Sequence, residues 1–381
     1  MMRRCTWCVC ALLATLAPFV QAQTPVALTK PDAELAEPFT QIAGVRELRD
    51  GRVIVVDRRD RTVMLVDFKA GTATRIGRTG AGPGEYANPS RIIALAGDST
   101  AVHDPGNSRY LIVTPAGTLG TTFQILDAGS ARMGGRGAAP RGTDARGRIY
   151  YEGSGFVAGR GGAIVPADSA PVIRLDRTTS KLDTLAYVQL AVGNSKSAEL
   201  PGGGLMMQTG MVAFPARDDW APMPDGGVAV VRVRDYHVDR IAPSGSRTSG
   251  APVKFAPVAV TETEKEAWRV ARREMTGPRS GRDGGSATSA PPPPPESEFP
   301  DFMPPFIASS AMVRPNAELW VLRSHKAADP PIYDVFSASG SFTGRVALAA
   351  KARLVGFGDG TAYVVRRDDD DLEYLQRYRI R

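Results

Sequence analysis

Cysteine is nearly absent. The 381-residue chain has three, Cys5, Cys8 and Cys10, all within its first ten residues. Beyond them there can be no disulfide, no thiolate nucleophile and no cysteine metal centre. Histidine is equally scarce: His103, His237 and His325 stand far apart, with no H-x-x-x-H or similar metal spacing. After Val20 no apolar run is long enough to cross a bilayer. Helical periodicity is almost missing. No dense Lys/Arg run interleaved with aromatics occurs, although the formal net charge is +7. Scattered charge of this kind argues against a nucleic-acid partner and leaves a mild attraction for anionic surfaces or ligands. There is no G-x-S-x-G elbow and no paired-carboxylate motif, so the patterns give no catalytic residue.

The three cysteines sit in a stretch that is itself informative. Arg3 and Arg4 precede an apolar run from Ala11 to Val20, and Val20-Gln21-Ala22 offers small residues where a signal peptidase cuts. Residues 1–22 are expected to be a cleaved secretory signal. Residues 23–381 are expected to form one domain in the periplasm or outside the cell, with no transmembrane segment.

What is abundant is glycine (40), proline (30) and short β-branched runs between polar turns. This is the pattern of many short antiparallel strands. One theme recurs: apolar run, Gly/Asp/Asn turn, apolar run, polar break, a third run, another turn, and a fourth. It is clearest in Ile42–Leu48, Asp50-Gly51, Arg52–Asp57, Thr62–Asp67 and Thr72–Ile76. Its first turns stand near residues 51, 97, 147, 226, 316 and 359. Four strands in 40–50 residues make one propeller blade, and six copies make a six-bladed ring of four-stranded antiparallel blades. Two long gaps hold insertions at about 191–217 and 257–305. The last copy lacks room for an outermost strand, and the spare segment Pro25–Phe39 is expected to supply it, closing the ring and hiding its edges.

The linker Ile76-Gly77-Arg78-Thr79-Gly80-Ala81-Gly82-Pro83-Gly84-Glu85-Tyr86, with Asn88-Pro89 leading into a strand, resembles the inter-blade linker of NHL-repeat-like secreted bacterial six-bladed propellers. The segment Phe299-Pro300 to Leu319-Trp320-Val321 resembles a second recurring piece of such proteins. The resemblance implies the fold over most of the chain and leaves function open, because propellers host binding proteins and enzymes alike.

With strands labelled A to D outward from the channel, B–C loops and D–A links emerge on one face, and A–B and C–D turns on the other. Every A–B and C–D turn is short. The long links 77–89, 126–139, 191–217 and 257–305 and the longest B–C loop, 154–170, all fall on the first face. That loop face is expected to be the binding face. In the last insertion, Thr261 or Thr263 caps a short helix from about Glu264 through Trp268 and Val270 to Met275. Gly277–Ala290 reads as polar and without fixed structure, and Pro291–Pro295 as polyproline.

Arg46, Arg91 and Arg141 lie near the starts of three A strands and would make the channel suitable for an anionic ligand. Trp268, Phe302 and Phe306 could line a pocket beside it or simply pin the insertion. His103, His237 and His325 fall near the loop face and raise the possibility of an open zinc site, but B and C strands stand outside the channel-lining position. Asp368–Asp371, among Arg366, Arg367 and Arg377, reads as a solvated turn rather than a calcium loop. Gly77–Gly84 opens no helix and is a linker, not a phosphate cradle. The leading reading is a non-catalytic propeller without a required cofactor that binds a small molecule or protein on the loop face. The alternative is a metal-assisted lyase or hydrolase at the channel mouth.

Overall fold

The polar–apolar rhythm folds into blades because each run is just long enough to cross the ring once. A computed structural model describes residues 24–124, 139–158, 164–191, 195–200, 204–209, 212–276 and 299–380. The expected signal peptide and the segment 277–298, with its polar and polyproline stretches, lie outside these residues.

The fold is a six-bladed β-propeller. Blade one comprises Ile42–Glu47, Val53–Asp57, Thr62–Asp67 and Thr72–Arg75, hydrogen-bonded in that order and antiparallel throughout. Blade two is Arg91–Ala94, Thr100–Asp104, Arg109–Val113 and Leu119–Gln124. Blade three is Gly142–Thr143, Ile149–Glu152, Ser169–Asp176 and Lys181–Gln189. Blade four is Asp219–Pro222, Val228–Arg232, His237–Ile241 and Arg247–Ser249. Blade five is Met312–Val313, Leu319–Leu322, Ile332–Phe336 and Phe342–Ala347. Blade six takes Ala352–Gly358, Thr361–Arg367 and Glu373–Arg379 from the C-terminal end.

The B strands are buried on both faces because each blade is covered by a neighbour on either side. All five residues of Val53–Asp57 are buried, and so are the first four of Val228–Arg232. The core is accordingly six apolar layers, each shared by two consecutive blades. Ile54, Val56 and Tyr86 meet Val102 and Leu111 between blades one and two. Leu35, Val53 and Val55 meet Tyr363 and Leu375 between blades one and six, which closes the circle. The A–B turns are tight enough to require positive φ, met by Gly51 at 87° and Gly226 at 97°.

The N-terminal segment does close the ring, and it does more than complete one blade. Ala33–Glu34 is the outermost strand of blade six, antiparallel to Glu373–Arg379. Upstream, Val26–Ala27 runs parallel to Phe342–Ala347 as a fifth strand on blade five. Leu35 and Phe39 anchor the segment in the layer between blades six and one. Around them Glu34 pairs with Arg366, and Asp32 with Arg377.

The loop face carries added elements. The B–C loop of blade three contains a hairpin, Phe156–Ala158 with Ile164–Pro166. A second hairpin, Ser195–Leu200 with Gly204–Thr209, lies in the link to blade four. The link to blade five contains Val258–Ala259 paired with Phe302–Met303, and the helix Glu262–Thr276. Thr261 stands just before this helix, and the Glu264 carboxylate reaches back to accept the Thr261 amide and hydroxyl, which is one half of a capping box. No described helix is long and apolar enough to cross a membrane.

Candidate functional site

A recurring carboxylate holds the loop face in place. Asp57 ends strand B of blade one. Its Oδ2 accepts the amides of Thr40 and Gln41, which lead into strand A, at 2.7 and 3.1 Å. Its Oδ1 accepts the amides of Arg59 and Asp60 in the B–C turn at 2.9 and 3.0 Å. Asp104 does the same in blade two, taking Asn88 N at 2.8 Å and Asn107 Nδ2 at 2.8 Å. Asp218 bridges Gln189 N, Val233 N and Arg232 in blade four. In blade six, Glu373 accepts Ile42 N at 2.6 Å across the ring closure. These buried anions supply acceptors to amides at the strand ends and turns of the loop face, which fixes those positions.

The glycine linker is closed in the same way. Arg78–Thr79 pairs in parallel with Glu85–Tyr86, and the Glu85 carboxylate accepts Gly82 N at 2.8 Å and Arg78 Nε at 2.8 Å. A Cβ on Gly80 would stand 2.1 Å from that carboxylate. A loop that already encloses its own anion is a linker.

These supports surround the channel mouth. The A strands are innermost, so residues at their loop-face ends stand beside the channel mouth. On the loop-face ends of the A strands, the exposed residues are Ala43, Arg91 and Arg353. Ala43 sits at a bulge between Ile42 and Gly44. Arg353 donates to Ile42 O and to Glu373 at 3.0 Å each. Arg141, just before strand A of blade three, pairs with Asp219, donates to Trp220 O at 3.2 Å and lies over the Trp220 ring at 5.6 Å. Asp219 also accepts the amides of Trp220 and Ala311, and so ties three blades together.

Arg91 differs from its neighbours. Among the described residues its guanidinium has neither a hydrogen bond nor an ion pair, and the same holds for Arg58 in the B–C turn of blade one. The pKa of Arg91 is lowered, first by surrounding protein and then by the charges of Arg141 and Arg58. Its side chain is open to water while protein walls it in, the environment of a channel mouth.

Other candidates from the sequence occupy different places. Arg46 turns to the opposite face, where it holds the A–B turn of blade two through Asp98 Oδ1 at 2.8 Å and Asp98 O at 3.2 Å. Phe306 is buried between blades four and five, 5.4 Å from the Tyr236 ring. Phe302 is 57% exposed on the insertion. Trp268 meets Phe299 edge-on at 5.4 Å, and Phe299 in turn lies 6.3 Å from Phe214. These contacts anchor the helix.

The three histidines are not brought together. His237 bonds Asp235 and Asp239 within blade four, and His325 bonds Lys326 O in blade five. Among the described residues, no group of three His, Cys, Asp or Glu side chains is placed to hold a metal ion. Of the Asp368–Asp371 run, Asp368 accepts two amides of its own turn, Asp369 pairs with Lys351 and Asp371 with Arg367.

His103 is cross-strand from Arg91 and 3% exposed. Its Nδ1 bonds Ser90 Oγ at 2.9 Å, its ring packs on Tyr110, and its Nε2 is buried without a partner. Burial, followed by the charge of Arg91, pushes its pKa down to about 4, with Asp104 pulling the other way. Above pH 6.5 the imidazole is neutral in both folded and unfolded chains. Between 6.5 and 4 only the unfolded chain takes the proton, so acidification costs stability, about 3 kcal/mol across that window. Denaturant unfolding from pH 7.5 to 4.5 should therefore show a steeper loss for the wild type than for His103→Asn. Identical slopes would refute this assignment.

A cleft of about 440 Å³ lies elsewhere, on the turn face between blades two and three, lined by Leu95, Arg146, Arg148 and Arg177 among others. Within it, Arg148 is already committed to Asp144 at 2.6 Å.

No protein-family model matches the chain, and no curated protein does. Solved structures are similar to it. A member of the DUF4221 family from Bacteroides vulgatus is 9% identical, with 91% of this chain and 96% of that one covered and a TM-score of 0.48. The calcium-binding protein regucalcin from Agrobacterium tumefaciens is 11% identical, with 94% and 98% covered and a TM-score of 0.43. A catalytically inactive virginiamycin B lyase from Staphylococcus aureus, solved with quinupristin, is 11% identical, with 90% and 96% covered and a TM-score of 0.41.

Proposed function

We propose that this chain is an exported, non-catalytic propeller of the NHL-repeat-like kind that binds a ligand at the channel mouth of its loop face. Its first 22 residues serve as the secretory signal. One observation carries the reading: the long connections gather on the loop face, where buried Asp57, Asp104, Asp218 and Glu373 fix the amides at the strand ends and turns around the mouth. Loops held rigid without catalytic machinery suit recognition, because a preorganised surface loses little entropy on binding.

The test is a thermal-shift screen of sugars, peptides, nucleotides and organic acids against the wild type and Ala43→Trp, which narrows the mouth. A ligand at one hundred times its Kd stabilises the folded state by about 2.7 kcal/mol. That gain should appear in the wild type and vanish in Ala43→Trp. A ligand that stabilises both equally places binding elsewhere and overturns the reading. About one tightly held zinc or calcium ion per purified chain would instead favour the metal-assisted lyase or hydrolase.

A further inference from the structure

We propose that the channel mouth is a site for a small molecule's oxyanion, a carboxylate or phosphate, held by Arg91 with Arg58 beside it and Arg141 behind. The inference rests on the mouth being the binding site, and it adds the chemistry of the ligand.

Charge accounting at the mouth supports it. Most arginines nearby are already paired. Arg141 is held by Asp219, Arg353 by Glu373, and Arg217 by Glu152. The carboxylates are likewise committed. Asp219 serves Arg141 and two amides, and Glu373 serves Arg353 and Ile42 N. Asp57 and Asp104 are buried under backbone amides, and Asp60 accepts the Thr40 hydroxyl. Arg91 and Arg58, with the exposed Arg59 of the same turn, are left without a side-chain hydrogen bond or ion pair among the described residues, and the charge of Arg58 acts on Arg91.

A guanidinium presents a planar fork of donors that matches the two oxygens of a carboxylate or phosphate. Two free guanidiniums, with a third partly neutralised by Asp219, fit one compact anion. The neutral His103 below Arg91 adds no competing charge. The chain's scattered charge gives no extended basic track for a polyanion.

Isothermal titration with inorganic phosphate and with citrate, each at matched ionic strength, tests the proposal. Saturable binding to the wild type is expected, and the tighter of the two identifies the oxyanion. Arg91→Met should weaken it at least tenfold and Arg58→Met several-fold. Arg146→Met, an exposed arginine on the turn face, should bind as the wild type does. Arg91→Lys keeps the charge, and an intermediate affinity separates loss of charge from loss of fold. No saturable binding of either anion, or equal weakening in Arg146→Met, overturns the proposal. A neutral ligand that Ala43→Trp excludes, with neither anion binding, would sink this inference and leave the channel-mouth reading standing.

Discussion

Removing residues 24–39 should destabilise the folded ring by about 5 kcal/mol or more, because two buried apolar side chains leave the same layer. Leu35 and Phe39 pack there against Tyr363, Val365 and Leu375. Without them that layer opens to water, and the outer edge of Glu373–Arg379 is stripped of its partner. An uncovered strand edge invites pairing with other chains, so the truncated protein should also aggregate. Point variants divide the effect. Leu35→Ala should cost about 3 kcal/mol through the cavity it leaves. Glu34→Ala loses the exposed pair with Arg366 and also leaves the buried Gln376 amide without its acceptor, and should cost about 1–2 kcal/mol. Urea unfolding followed by tryptophan fluorescence measures all three. A truncated chain with the wild-type midpoint would show that the segment is dispensable.

The second large effect concerns Asp57. Asp57→Ala leaves four amides, of Thr40, Gln41, Arg59 and Asp60, without their acceptor. Each unsatisfied donor costs about 1 kcal/mol or more where water cannot replace the partner, so a loss of about 3–4 kcal/mol is expected. Asp57→Asn keeps one good acceptor oxygen and should lose about half as much. The damage should be local as well as global. The B–C turn 58–61 should become a site of limited proteolysis in Asp57→Ala while the opposite face stays resistant. Equal resistance at 58–61 would mean that Asp57 does not hold the mouth.

The sequence is a good guide to the ring and a poor one to its mouth, and the difference is physical. Turn glycines and β-branched runs act locally, so Asp50-Gly51 and Asp225-Gly226-Gly227 mark A–B turns that the structure contains. Ring closure is legible as an arithmetic deficit, since the last copy is one strand short. The parallel pairing of Val26–Ala27 with blade five is not legible, because a two-residue ladder leaves no periodic trace. At the mouth, Arg46, Arg91 and Arg141 look equivalent in sequence. What separates them is the carboxylate each meets: Asp98 lies 52 residues from Arg46, and Asp219 lies 78 residues from Arg141. Such partners are set by the stacking of neighbouring blades, which no local pattern encodes. Arg58 is illegible in the sequence for a related reason. A polar B–C turn residue stands out only once the ring brings it near Arg91. Asp57 and Asp104 gave a faint signal, an acidic residue closing a buried apolar strand, and that signal could have identified the supports of the loop face.

The junction of Glu34 with Gln376 spans 342 residues of chain. Blades one to five can assemble from contacts close in sequence as each becomes available, whereas this contact joins the two ends of the described fold. Distant contacts form late, since the loop they close must first be gathered. Until that step closes the arc of blades, blade six lacks its outermost strand and the edge of Glu373–Arg379 stays open. The rate of that step, rather than the strength of any blade, sets how long the arc is exposed to misassociation.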